Sequence, residues 1–161
     1  MKLSVPMPVR LVLLVVGTTA FYMYLGQIVP QREAHPPPPV LISAEMTTED
    51  LVAVGAELAS GKGQCLVGCH TVGQSGPLRY PDLDGIGARA ATQIEGLSGL
   101  EYLAQSLYEP AAFIVPGFAD GMQAIDQPPI SLSEDEMKAV IAWLQSLGGT
   151  PTVTLETDLG Y

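Results

Sequence analysis

The chain has 161 residues and a formal net charge of −10 at pH 7, so its length allows one compact domain with short additional segments. All 17 acidic residues but only five of the seven basic residues follow residue 30, which leaves a formal charge of −12 on that part of the chain. Such a field excludes nucleic acid as a partner and favours either a basic protein partner or simple solubility. The 17 glycines and 14 prolines predict loop-rich structure around few helices.

The first element is an apolar stretch near the N-terminus. Residues 11–29 read LVLLVVGTTAFYMYLGQIV and contain no formal charge, and as a helix they would reach roughly 28 Å, enough to cross a lipid bilayer. Lys2 and Arg10 precede the stretch, which predicts a cytoplasmic N-terminus and export of everything after residue 30. We therefore expect residues 1–30 to be a single-pass anchor in a bacterial cytoplasmic membrane, with the remainder on the periplasmic or extracellular side. The alternative is a signal peptide cleaved after Ala20.

A proline-rich segment separates this anchor from the rest. Residues 31–46 begin QREAHPPPPV, and consecutive prolines favour an extended, semi-rigid spacer. We expect a folded domain over residues 47–149 and a separate tail over residues 150–161. Thr47 is predicted to cap the first helix of that domain, because a Thr-Thr-Glu-Asp run precedes an apolar helical pattern.

The two cysteines of the chain occur together, directly before a histidine. Cys65, Cys69 and His70 form C-x-x-x-C-H, one residue longer than the C-x-x-C-H pattern of c-type haem attachment. Residues three or four apart share one face of a helical turn, so either spacing can direct two sulfurs at one porphyrin. The motif therefore predicts one covalent haem c, held by Cys65 and Cys69, with His70 as an axial ligand of the iron.

Three other interpretations of the motif remain open. A Cys65–Cys69 disulfide is compatible with helical spacing and with an oxidising compartment, but it leaves His70 unexplained. A zinc site needs four ligands, and His35 is the only other histidine that could join these three residues. A thiol redox motif would normally lack the following histidine.

A second axial ligand can be sought among the six methionines, because a Met ligand raises the haem potential and closes the iron to other ligands. Met1, Met7 and Met23 precede the domain. Two more are expected in helix packing, Met46 beside the Thr47 cap and Met137 in the helix opened by the capping box at Ser133. The remaining candidate is Met122, in a loop containing glycine and proline, and it is predicted to bind the iron.

With these motifs in place, residues 47–147 resemble the small class I c-type cytochromes. The resemblance implies an all-α domain, the small cytochrome c fold, with three to four helices around one haem. It implies that the Pro81 carbonyl accepts a hydrogen bond from His70, that Leu83 packs on the porphyrin and that Arg89 lies near a haem propionate. It also implies that the first and last helices cross where Gly55 meets Trp143. The capping box Ser98-Gly99-Leu100-Glu101 itself predicts the start of a middle helix, which Pro110 is expected to end.

These features predict an electron carrier rather than an enzyme. Its partners would be a redox protein donor and acceptor, together with the lipid bilayer that residues 11–29 cross. The chain also resembles the monohaem subunit of a bacterial quinol-oxidising complex such as alternative complex III, which implies a place in a respiratory or photosynthetic membrane complex. The alternatives are a haem enzyme or gas sensor with an open sixth iron position, and a structural subunit with a Cys65–Cys69 disulfide.

Overall fold

The structure, a computed structural model, describes residues 5–29 and 40–161. These residues contain helices and turns but no strand, so the expected all-α class is confirmed. The α-helices of the described chain are α1 (Met7–Ile28), α2 (Thr48–Ser60), α3 (Ile86–Arg89), α4 (Gly99–Tyr108) and α5 (Glu134–Ser146), with 3-10 turns at Ala90–Thr92 and Pro110–Ala112. The chain divides into two compact units, Met1–Pro36 and Pro37–Tyr161. Most of the expected linker, including His35, lies outside the described residues.

The first unit contains α1, which begins at Met7 after the N-cap residue Pro6 and has Pro8 in its first turn, where a missing N–H costs no helical hydrogen bond. Every residue of α1 is exposed, and its apolar side chains surround the whole helix rather than one face. With 22 residues and a mean hydropathy of 1.7, α1 is long and apolar enough to cross a membrane. The hydroxyl of Thr18 donates to the Leu14 carbonyl at 2.8 Å, so this polar group needs no partner outside the helix.

The second unit is built on three helices whose N-termini are fixed by capping boxes. Thr47, Ser98 and Ser133 each accept from the backbone N–H three residues later, and the acidic side chain at that position accepts from the cap residue's own N–H. Each box satisfies two backbone donors that the helix leaves unpaired. The three predicted helix starts are confirmed.

Helices α2 and α5 make the most extensive contact of this unit. They cross at Gly55, where a Cβ atom would lie 2.0 Å from the Ala139 carbonyl oxygen and 2.8 Å from the Cβ of Trp143. Only glycine allows the two backbones to approach so closely. The expected meeting of Gly55 and Trp143 is confirmed, as is the core position of Met137, which is fully buried.

The C-terminal residues belong to this unit and pack against its helices. Val153 is fully buried, and its carbonyl accepts from the Thr48 hydroxyl at 3.1 Å. Lys138 is only 6% exposed and donates to the Leu155 carbonyl at 2.8 Å. The tail is therefore bonded to the first residue of α2 and to a side chain of α5, and the burial of Val153 adds apolar contacts to a small core.

Candidate functional site

The predicted site residues lie around two adjoining cavities of the second unit. Six of the seven line a cavity of about 980 Å³ that is bordered by α4 and the segments on either side of it: Cys65, His70, Pro81, Leu83, Arg89 and Met122. The seventh, Cys69, lines a neighbouring cavity of about 730 Å³ that shares Cys65, His70 and Met122 with the first. The structure therefore brings together residues that are up to 57 positions apart in the sequence.

The cysteine–histidine segment does not lie on a helical turn, and that expectation is wrong. Helix α2 ends at Ser60, and the motif follows in successive turns in which Gly68 has φ of 81°, a left-handed conformation that cannot continue a right-handed helix. The N–H of His70 donates to the Cys65 carbonyl at 2.8 Å. This bond spans five residues, one more than an α-helical turn, and so accommodates the additional residue between the cysteines.

We expect Gly68→Ala to lower the yield of covalently attached haem. A Cβ at Gly68 meets nothing within 4 Å, so the change costs only backbone strain, about 1–2 kcal/mol in the left-handed region. That strain falls on the turn that sets the spacing of the two sulfurs. Gly96→Ala is the matched control, because Gly96 has φ of 89° and equally open surroundings. Haem-stained gels normalised to total protein should show the loss for Gly68→Ala alone, and equal yields would contradict the role given to this turn.

The two cysteines have different environments. Both are free thiols, with Cys65 buried and Cys69 exposed. Burial raises the pKa of the Cys65 thiol to about 11, so this thiol stays protonated at neutral pH. Among the described residues no three His, Cys, Asp or Glu side chains are grouped as metal ligands, so nothing in that part of the chain supports the zinc interpretation.

His70 is oriented by a hydrogen bond to the segment that follows the motif. Its Nδ1 lies 2.8 Å from the Pro81 carbonyl oxygen. A carbonyl only accepts, so this bond requires a proton on Nδ1 and leaves the lone pair of Nε2 available for a metal. The geometry is the one that the family resemblance implies, and it is typical of imidazoles that bind metals.

Asp82, which sequence reasoning did not single out, links the two segments that carry this hydrogen bond. Its carboxylate accepts from the Thr71 hydroxyl at 2.6 Å, from the backbone N–H groups of Gly73 and Gln74 at 3.0 Å each, and from that of Asp84 at 2.8 Å. The Thr71 hydroxyl and these backbone donors hold the pKa of Asp82 well below its usual range. The sequence signal that could have indicated such a role is the Asp-x-Asp-Gly run, which favours a side chain bonding to the backbone two residues on.

This pKa shift predicts that Asp82 contributes to acid resistance. The folded-state pKa lies below the unfolded value of 3.8, so the stabilisation by the ionised carboxylate is complete above the unfolded value and is lost as pH falls towards the folded one. Wild type should therefore be more stable than Asp82→Asn at pH 6, and the difference in free energy of unfolding should shrink below about pH 4. Denaturant titrations at both pH values measure this, and a difference that grows on acidification would contradict it.

Arg89 and Leu83 occupy the same region. Leu83 is buried in the hydrophobic core and lines the larger cavity. The guanidinium of Arg89 donates to the backbone carbonyls of Asp82 and Asp84, and Arg89 also lines the larger cavity, as do Gln93 and Tyr102. Arg89 thus stabilises the loop after Pro81, and its expected contact with a haem propionate stays a prediction.

Met122 reaches the site on a long loop between α4 and α5. The loop is tied to the core by backbone bonds from Ile125 N–H to the Leu107 carbonyl and from Leu132 N–H to the Ile125 carbonyl. Met122 is half-buried against the core and lines both cavities. Tyr80, also missed by sequence reasoning, lines both cavities, with its ring 5.6 Å from that of His70 and its hydroxyl 3.5 Å from a Cβ placed on Gly121.

The residues present fit a haem. The cavity that six of these residues line combines mostly apolar walls with a few polar groups, as cofactor sites usually do. Its walls include the apolar side chains of Leu83, Ile86, Leu103, Leu107 and Phe113, which suit the faces of a porphyrin, while Arg89 offers a cation for a carboxylate. An imidazole with a free Nε2 and a thioether are potential axial donors to a haem iron, and two thiols can form covalent bonds with the two vinyl groups of one porphyrin.

The second unit of the chain matches a known protein family. The family model described as "Cytochrome c" matches residues 52–148, about three fifths of the chain. The match begins in α2, includes the cysteine–histidine motif and Met122, and ends just after α5. No curated protein matches the chain.

Proposed function

Because the chain belongs to the cytochrome c family, we propose that it carries electrons on the exported face of a bacterial membrane, through a haem c that Cys65 and Cys69 attach and that His70 and Met122 ligate. As a family member the chain is a c-type cytochrome with covalently attached haem, and it exchanges electrons with redox partners. The bound iron supplies the chemistry by cycling between its ferrous and ferric states. The chain's own residues set where, and at what potential, this exchange takes place.

The observation that supports the assignment of the ligands most strongly is the hydrogen bond from His70 Nδ1 to the Pro81 carbonyl, 2.8 Å long. It fixes the tautomer and the plane of the imidazole before a metal is bound, and it makes Nε2 a more basic donor. Met122 lines the same cavities as His70. If the iron were held by both the imidazole and the thioether, no position would be left for small ligands, which would favour electron transfer over reactions with such ligands.

The charge of the domain supports a basic redox partner. The part of the chain after residue 30 carries a formal charge of −12, and both of its lysines form ion pairs with carboxylates within the fold. Lys62 pairs with Glu136 at 2.6 Å, and Lys138 pairs with Glu134 at 2.7 Å. A negative surface attracts a positively charged protein over distances near the Debye length, so association should be fast at low salt.

Helix α1 supports a membrane anchor. It is long enough to span a bilayer, and its cations lie at the N-terminal end, with Lys2 before the helix and Arg10 in its first turn, which favours a cytoplasmic N-terminus. An anchor would hold the haem domain close to its donor and acceptor and so raise their effective concentration. This arrangement fits a subunit of a membrane electron-transport complex, such as the quinol-oxidising alternative complex III.

Spectroscopy of the full chain in mild detergent tests the electron-transfer proposal. We expect one haem per chain, reversible one-electron reduction, and a near-infrared sulfur-to-iron band in the ferric state. Electron exchange with a basic redox protein should slow as salt is added, whereas exchange with an acidic redox protein of similar size should not. A ferric spectrum without the sulfur-to-iron band, together with carbon monoxide binding to the ferrous protein, would instead identify a haem enzyme or gas sensor.

Membrane fractionation tests the anchor. After alkaline carbonate extraction the full chain should remain with the lipid, and the intact mass of the extracted protein should include residues 1–20. Loss of residues 1–20 and release into the soluble fraction would show a cleaved signal peptide instead. Protease added to sealed right-side-out vesicles should digest the haem domain, and protection of that domain would contradict its exported location.

A further inference from the structure

We propose that Asp82 is a positioning residue for the axial imidazole: its carboxylate holds the segment after His70 against the Pro81 loop and thereby sets the strength of the His70–Pro81 hydrogen bond and the reduction potential. This inference rests on the proposed ligation by His70. Asp82 is not among the residues that the sequence predicts to attach the haem or to bind its iron.

The argument begins with where the hydrogen bonds of Asp82 fall. The residue directly after the imidazole, Thr71, donates its hydroxyl to Asp82 at 2.6 Å. The residue directly after the acceptor carbonyl is Asp82 itself. The Asp82–Thr71 bond and the His70–Pro81 bond therefore join the same two segments side by side. Any separation of the segment after His70 from the Pro81 loop must stretch both of these hydrogen bonds.

Further bonds prevent the two segments from rotating apart. The N–H of Leu83 donates to the Thr71 carbonyl at 2.8 Å, and the backbone N–H groups of Gly73 and Gln74 converge on the two carboxylate oxygens at 3.0 Å each. Gly73 has φ of 74°, so the chain turns there to present consecutive N–H groups to one anion. Charge-assisted bonds of this kind are stronger than bonds between neutral groups.

The opposite side of the same loop is also fixed. Arg89, at the end of α3, donates to the carbonyls of Asp82 and Asp84. The Pro81 carbonyl thus lies in a loop that is fixed on two sides. The Asp82 side chain binds the segment after His70, and the backbone carbonyls of Asp82 and Asp84 bind Arg89. Pro81 itself contributes a fixed φ.

This arrangement matters because the Pro81 bond adjusts the imidazole electronically. A proton donated from Nδ1 raises the basicity of Nε2, and a more basic ligand favours the ferric state over the ferrous state. A loop that is free to move would lengthen the bond on average. Loosening the Asp82 contacts should therefore shift the equilibrium towards ferrous iron, which means a higher potential.

Three variants separate this role from a simple charge effect. Asp82→Ala removes the carboxylate, Thr71→Val removes only an uncharged donor of nearly the same shape, and Asp84→Asn removes an exposed charge two residues along. We expect Asp82→Ala and Thr71→Val to favour the ferrous state by about threefold, or roughly 28 mV at 59 mV per tenfold change. Asp84→Asn should leave the potential near that of wild type.

A second readout follows the hydrogen bond directly. In the ferrous holoprotein the Nδ1 proton of His70 should exchange with solvent about tenfold faster in Asp82→Ala and Thr71→Val than in wild type or Asp84→Asn, as measured by NMR. Thr71→Val keeps the inference testable if Asp82→Ala does not accumulate with haem. Unchanged exchange and potential in Thr71→Val, or a potential shift in Asp84→Asn equal to that in Asp82→Ala, would overturn it.

The wild-type protein separates failure of this inference from failure of the proposed function. If wild type carries no haem or shows no histidine ligation, the proposed function fails and the inference with it. If wild type has the expected haem and ligands but the variants match it in both readouts, the proposed function stands and only the role of Asp82 is refuted.

Discussion

The variant Met122→Ala is expected to keep its covalent haem but to lose its closed coordination sphere. The cysteines and His70 are unchanged, so attachment should proceed, while the thioether proposed as the second iron ligand is removed. The potential should fall by on the order of 0.1 V, part of the range of about 0.8 V that axial ligands span. The ferrous protein should then bind carbon monoxide, which spectrophotometric titration and potentiometry measure.

Met137→Leu is the matched control for this variant. Met137 is fully buried in the core and does not line either cavity, and a swap of similar volume usually costs less than 1.5 kcal/mol. Its spectrum and potential should equal those of wild type. If Met122→Ala still excludes carbon monoxide and retains the near-infrared band, Met122 is not the ligand.

A second large effect is expected for Gly55→Ala. Alanine would normally favour a helix by about 1 kcal/mol relative to glycine, but here the new Cβ would lie 2.0 Å from the Ala139 carbonyl oxygen and 2.6 Å from its carbon. These are backbone atoms of α5, so the clash is relieved only by moving one helix away from the other. We expect a loss of roughly 3 kcal/mol in the free energy of unfolding, and of about 10–20 °C in Tm.

Ala53→Ser provides the control on the exposed face of the same helix, and a surface change of this kind usually alters stability by no more than about 0.5 kcal/mol. Thermal melts of the holoproteins followed by far-UV circular dichroism compare the two variants. If Gly55→Ala melts within a few degrees of wild type, the close approach of α2 and α5 is not a feature of the folded protein.

Much of the fold could be predicted because its signals are local. The capping boxes at Thr47, Ser98 and Ser133 each lie within four consecutive residues, and all three predicted helix starts are confirmed. The core position of Met137 followed from the capping box at Ser133, because the apolar residues that flank such a box, here Leu132 and Met137, usually pack against each other. The crossing at Gly55 needed the family resemblance, because the sequence of one helix does not specify which residue of another helix approaches it.

The site was only partly predictable, for two physical reasons. The backbone of the cysteine–histidine motif depends on a left-handed φ at Gly68, and glycine also adopts right-handed conformations, so its presence does not reveal which one occurs. The role of Asp82 depends on bonds to Thr71, Gly73 and Gln74, which approach it only when the intervening loop has folded. The role of Met122 as an iron ligand stays a prediction, and so does the contact of Arg89 with a haem propionate.

The most direct test is the intact mass of the denatured full chain, purified from cells that attach haem to cysteine pairs. Wild type should be heavier than its polypeptide by one haem, and the excess should survive acid and organic solvent because thioether bonds are covalent. The double variant Cys65→Ser, Cys69→Ser should have the mass of the polypeptide alone. A wild-type mass that equals the polypeptide mass would contradict the account.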